Sequence, residues 1–128
     1  MDQHDDHADL IKGFVEEQKE IFTSSEQAVY AFLDDDSRAC NEKFAKLLGY
    51  ASADEWMKTD TKGEFPTVFV AEKSQATLIS TFQMAMEKMK ASTVKISWKK
   101  KTGETVDTTV ILVPVVYQGH LFALHFVS

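Results

Sequence analysis

The chain has 128 residues, 44% of them hydrophobic, with a formal net charge of −6 and one cysteine. That supplies apolar material for one core in one domain, and the acidic balance excludes a general nucleic-acid binder, which must neutralise phosphates. A lone cysteine forms no internal disulfide and suits a reducing cytoplasm; no signal peptide opens the chain, and no apolar run approaches the ~20 residues of a membrane span, so no membrane insertion is expected.

Residues 1–25 read as an N-terminal amphipathic helix and a hinge. Leu10, Ile11, Phe14, Val15, Ile21 and Phe22 recur at helical spacing on an otherwise charged segment. Asp2, Asp5, Asp6 and Asp9 crowd the end where the helix dipole favours carboxylates. Thr23-Ser24-Ser25 supplies the hinge. His4 and His7 stand three apart, as helical metal ligands can, but in a terminus expected to fray, and no metal cluster is visible.

Residues 26–128 form the domain. Ala28–Leu33 is strand-like and runs through an acidic turn, Asp34-Asp35-Asp36, into a second strand ending at Cys40. In Asn41-Glu-Lys-Phe-Ala-Lys-Leu-Leu-Gly-Tyr50, Asn41 is an N-cap and Gly49 a left-handed stop, with Tyr50 placed to fold back on Phe44. Ser52-Ala-Asp-Glu55 is a capping box opening another short helix, with Trp56 and Met57 on its apolar side. A loop through Lys62-Gly63 and Pro66 leads to Thr67–Val70 and a long helix over Ala71–Lys90. Three strands close the chain, Thr93–Lys99, Thr105–Tyr117 and His120–Val127, turning at Thr102-Gly103 and Gln118-Gly119. Lys99-Lys100-Lys101 is a solvated hairpin tip.

The Asn-x-x-Phe-x-x-x-x-Gly-Tyr pattern of Asn41–Tyr50, followed by a glycine-turned meander, resembles a PAS domain over about Ala28 to Val127. The resemblance implies an α+β fold: a five-stranded antiparallel sheet with short helices and one long helix on one face. It implies a non-catalytic sensor or signal-transduction module of a sensor kinase or transcriptional regulator, acting on an output domain or a partner signalling protein. The alternative is a protein–protein dimerisation module with a filled core and no ligand. A small enzyme on a cone-like α+β fold is the third class, but no Asp–His or Cys–His pair can be placed facing one cavity.

In PAS domains resembling this chain, strand positions two and four before the hairpin proline face the ligand cavity. With that proline at Pro114, Leu112, Val110 and Thr108 point inward, and Ile111, Val113 and Val115 outward. The same alignment sends Phe122, Leu124 and Phe126 inward and Leu121, Ala123, His125 and Val127 outward. It sends Val94, Ile96 and Trp98 inward, with Lys95, Ser97 and Lys99 outside. Leu78, Ile79, Phe82, Met86 and Met89 lie at helical spacing on the long helix. The expected lining for a small apolar or aromatic ligand is therefore Phe82 and Met86 from the helix and Trp98, Thr108, Val110, Leu112, Phe122, Leu124 and Phe126 from the sheet. Thr108 is its one polar group, and the methionines adapt to a variable guest.

The last two strands are apolar on both faces, so the outer face needs a lid. The N-terminal helix is that lid, on its own sheet or on a partner's. The resemblance favours a homodimer in which Leu10, Phe14 and Ile21 meet Ile111, Val113, Leu121 and Ala123. No cofactor is expected. Flavin-binding light sensors of the family carry a cysteine in Asn-Cys-Arg-Phe shortly beyond the Gly-Tyr, where this chain has Met57-Lys-Thr-Asp60. Cys40 reads as a small buried hydrophobe. Haem sensors of the family take an axial histidine from the long helix, which has none; His120 is a hairpin residue and His125 is assigned outward.

Overall fold

In the computed structural model, which describes residues 3–34 and 36–128 with side chains from His7 onward, eleven elements follow in order. They are α1 (Gln3–Glu17), α2 (Lys19–Ser24), β1 (Ala28–Asp34), β2 (Ser37–Cys40), α3 (Glu42–Leu47), α4 (Ala53–Lys58), α5 (Phe65–Phe69), α6 (Glu72–Lys88), β3 (Ser92–Lys99), β4 (Thr105–Tyr117) and β5 (His120–Val127). Asp2, Asp35 and the side chains of His4, Asp5 and Asp6 lie outside the described residues. The five strands form one antiparallel sheet in the order β2-β1-β5-β4-β3. The α+β architecture that the resemblance implies is present. Among the described residues, no helix is long and apolar enough to cross a membrane.

The short helices follow from local chemistry. Asn41 Oδ1 accepts from the Phe44 amide and from the Val29 amide, each at 3.0 Å, while Nδ2 donates to the Gln27 carbonyl at 2.9 Å. One buried side chain thus caps α3 and anchors it to β1. At the other end Gly49 adopts φ +85°, and the Gly49 and Tyr50 amides donate to the carbonyls of Lys46 and Ala45, a Schellman closure. The Tyr50 ring meets Phe69 edge-on, whereas Phe44, its expected partner, packs on Tyr30, Trp56 and Trp98. Ser52 Oγ caps α4 through the Glu55 amide, and Glu55 reaches back to the Ala51 amide.

The inner face of the sheet carries an aromatic core of Tyr30, Phe44, Trp56, Phe65, Phe69 and Trp98 under α3 to α6. Trp98 is fully buried; its Nε1 donates to Thr108 Oγ1 at 2.8 Å, and that hydroxyl donates to the Ile96 carbonyl. The outer face is covered in part by the chain's own N-terminal segment. Phe14 stacks on Phe122 with centroids 4.4 Å apart, and Ile11 and Phe22 pack with Val29, Ala31, Ala39 and Leu124.

Two turns differ in kind. Gln118 and Gly119 both have positive φ (+54° and +76°), the geometry of a two-residue hairpin matched to strand twist. The β3–β4 connection is wider: Lys100–Glu104, closed by the Lys100 amide donating to the Glu104 carbonyl at 2.7 Å.

The tight β4–β5 turn corrects the facing expected for β5. It sets Tyr117 opposite His120, hence Val115 opposite Phe122, Val113 opposite Leu124 and Leu112 opposite His125. Directly opposed residues share a face. Phe122, Leu124 and Phe126 therefore lie on the outer face with Ile111, Val113 and Val115. Leu121, Ala123, His125 and Val127 lie on the inner face with Val110 and Leu112.

An apolar cavity beneath the long helix

A cavity of about 230 Å³ opens between α6, α5 and the inner face of β1 and β5. Period two on β1 places Tyr30 and Phe32 on this face, with Ala31 between them on the other. His125 stands opposite Tyr30 on β5. From above, α6 contributes Leu78, Ile79, Phe82 and Gln83, spaced about one turn apart, and α5 contributes Phe65 and Pro66. Phe32 is edge-on to both Phe65 and Phe82.

His125 gives this apolar wall its chemistry. The ring is 2% exposed and stacks on Tyr30 at 3.8 Å and 10°. Nδ1 lies 3.2 Å from the Ala123 carbonyl; since a carbonyl only accepts, Nδ1 holds the proton and Nε2 keeps a lone pair. Burial pushes the imidazole down to about 3, with the backbone of Ala123 and Tyr30 pulling it partly back, so at neutral pH the ring is uncharged. Burial likewise raises the Tyr30 phenol and keeps it protonated. The cavity thus offers stacked aromatic walls, with the neutral His125 imidazole, the Tyr30 phenol and the Gln83 amide as its polar side chains.

The residues expected to line a pocket scatter around this space. Phe82 lines it. Met86 packs beside it with Ala85, Leu112 and Ala123. Trp98 and Val110 sit in the adjoining aromatic core, and the Thr108 hydroxyl is engaged by Trp98 and Ile96. Phe122, Leu124 and Phe126 are on the far side of the sheet. Of the expected interface, Phe14 is fully buried and Leu10 and Ile21 are half-buried against the outer face, while Ile111 stays 41% exposed and Val113 half-buried. Leu121 and Ala123 face inward. Met89, in the left-handed conformation that ends α6, is exposed.

Tyr30, Phe32, Phe65 and His125 were not among the expected lining. The alternation of Ala28-Val-Tyr-Ala-Phe-Leu33 carried the signal for the first two, and the pairing across Gln118-Gly119 carried it for His125. Cys40 is buried; desolvation, helped by Glu42 and opposed by Arg38, pushes its thiol up to about 12, which leaves almost no thiolate for nucleophilic chemistry.

No protein-family model and no curated protein sequence matches the chain. Solved structures do. A PAS domain from a two-component sensor histidine kinase superposes with a TM-score of 0.63 at 13% identity, over 91% of this chain and 96% of its own. A PAS domain from Colwellia psychrerythraea gives 0.64 at 16%, over 90% and 95%. The LOV protein of Rhodobacter sphaeroides gives 0.63 at 16%, over 100% of this chain and 68% of its own.

Proposed function

Because the chain folds as a PAS domain, we propose that it is a sensory signalling module. Its cavity takes up a small apolar or aromatic molecule, and its sheet passes that event to the N-terminal helix and on to an output domain or partner protein. The observation that carries this reading is the aromatic cavity of about 230 Å³ with His125 in its wall. An apolar cavity of about 150 Å³ suffices to bind benzene, so a substituted single ring fits here. A guest with one N–H or O–H group has the Nε2 lone pair of His125 as its partner.

The route outward is one residue long. On β1, Tyr30 faces the cavity and Ala31 faces α1; on β5, His125 faces the cavity and Leu124 faces α1. A guest that shifts Tyr30 or His125 moves β1 and β5, two of the strands against which α1 packs.

The test is a thermal-shift and amide-NMR titration with indole, phenol and toluene. At least one ring should raise the melting temperature and shift the Phe32 and Leu78 amides, and Leu78→Trp, which fills the space, should abolish both effects. No shift with any of the three at millimolar concentration would sink the reading.

A second reading, the dimerisation module, has its own observation. The strip formed by Ile111, Val113 and Phe126 lies beside α1 on the outer face, and Ile111 is largely uncovered. A second copy seated there would appear as a dimer in light scattering that Ile111→Asp dissociates; a monomer at all concentrations would remove this reading.

A further inference from the structure

Three polar residues meet where α1 begins its path across the sheet, and the sensory cavity uses none of them. His7 in α1 places Nδ1 2.5 Å from Asp34 Oδ2 at the end of β1. His120, the first residue after the β4–β5 turn, brings its ring to 5.4 Å from that of His7, at 82°. We propose that His7 and His120 form a binding site for a divalent transition-metal ion, which ties α1 to the β4–β5 hairpin.

The spacing fits the chemistry. With metal–nitrogen bonds of about 2.0–2.1 Å, two imidazoles on a tetrahedral zinc ion have ring centres roughly 5.2 Å apart. The tautomer fits as well. Asp34 occupies Nδ1 of His7, which leaves Nε2 as the ligating atom, and a carboxylate behind the ring is the usual orienting partner of a metal-bound histidine. Asp34 is itself held by the turn it opens, its Oδ1 accepting from the Asp36 amide at 2.9 Å, so it fixes the orientation of the His7 ring.

Access is open. His120 also lines a shallow cleft of about 390 Å³ with Asp9, Leu10, Tyr117 and Gln118, a solvent path that passes a carboxylate. Two imidazoles fall short of the three protein donors of a catalytic zinc site and the four of a structural one, and no set of three or more such donors is gathered among the described residues. The ion therefore keeps water in its remaining positions, and the site is an exchangeable clamp.

The test is calorimetric titration of the tag-free full chain with zinc chloride, with circular dichroism confirming the fold of every variant. The wild type should bind one ion and melt at a higher temperature with zinc than without. His7→Gln and His120→Ala should each lower the affinity at least tenfold. Asp34→Asn, which keeps both imidazoles, should lower it by about tenfold, as loss of an orienting partner does. No binding by the wild type, or an isotherm unchanged by His120→Ala, overturns the site. Binding lost in His4→Ala but kept in His120→Ala would place the ion on the N-terminal segment alone, and would overturn it equally.

Discussion

Replacing Phe14 with alanine measures what holds α1 on the sheet. Phe14 is fully buried, stacked on Phe122 at 4.4 Å and edge-on to Tyr117 at 5.8 Å. Truncating such a ring costs about 3–5 kcal/mol, of which each aromatic pair accounts for about 0.5–1.5 kcal/mol. The remaining hold is Ile11, worth roughly 1.5–3 kcal/mol for a buried aliphatic side chain, with half-buried Leu10 and Val15 and the part-exposed His7–Asp34 contact, which adds little. A single helix of this length has little stability of its own. The loss is thus comparable with the whole hold, and the expected event is release of α1 while the sheet and its inner aromatic core stay folded. Hydrogen exchange reads this directly. Amides of the second half of α1 should lose protection by roughly a hundred- to a few-thousand-fold, since each 1.4 kcal/mol is tenfold, while those of β4 and β5 keep theirs. Protection in α1 unchanged within a factor of ten would refute the reasoning, because the stack on Phe122 would then not be what seats the helix.

Two further outcomes are expected. A Cβ at Gly13 would collide with the Tyr117 hydroxyl, so Gly13→Ala should destabilise the protein despite a helix-propensity gain of about 1 kcal/mol; in a Tyr117→Phe background the loss should shrink, and strictly additive urea midpoints would contradict the contact. His125 titrates near 3 in the folded protein against 6.5 in the open chain, so between those values the unfolded state binds the extra proton. That contribution to stability is complete above about pH 6.5 and is lost as pH falls towards 3, by up to about 1.4 kcal/mol per unit. His125→Phe should flatten this stretch of the urea-midpoint profile; an unaltered slope would assign it to other groups.

What was legible in the sequence is what short-range rules decide. Asn41, Gly49 and Ser52 act within one turn of where they stand, and each cap forms as the residue types require. Trp98 inside, with Lys95 exposed and Lys99 half-buried on the other face, follows from alternation on β3, although Ser97, expected outside with them, is buried against Ser74 and Asp107. The failure was at β5, whose run Leu121-Phe-Ala-Leu-His-Phe-Val127 is apolar on both faces, so alternation has no contrast to read. The one polar residue, His125, then looks like a surface marker, although stacking on Tyr30 and a bond to the Ala123 carbonyl make it a core residue. A decisive cue was nonetheless available. A two-residue turn at Gln118-Gly119 forces Val115 to oppose Phe122, which cannot be reconciled with sending one outward and the other inward. Gly13 was a second unread cue: glycine inside an amphipathic helix is unfavourable unless something approaches closely, and here Tyr117 does. The Tyr30–His125 pair had no local signal, because it joins residues from opposite ends of the domain.

On the sensory reading, that pair also sets the terms on which the sheet would pass on a binding event. A guest moves an equilibrium only by the difference in its affinity for the two states, and couplings between sites are typically about 1–3 kcal/mol. The hold on α1 from Phe14 and Ile11 together exceeds that range, so a guest in the cavity does not eject a firmly seated helix. Two features lower the threshold. Gly13 lies inside α1 and lowers its intrinsic helix propensity by about 1 kcal/mol relative to alanine, and the helix breaks at Gln18, so α2 lends it no continuous backbone. Its partners Phe122 and Leu124 alternate along β5 with cavity-face Ala123 and His125, so strand displacement acts on the stack itself. On the sensory reading, the output is therefore a graded change in how α1 sits, felt by whatever contacts its exposed face, and not a disordering of the N-terminal segment. A guest that raises stability while leaving exchange throughout α1 untouched would separate binding from signalling, and would assign the cavity a structural role alone.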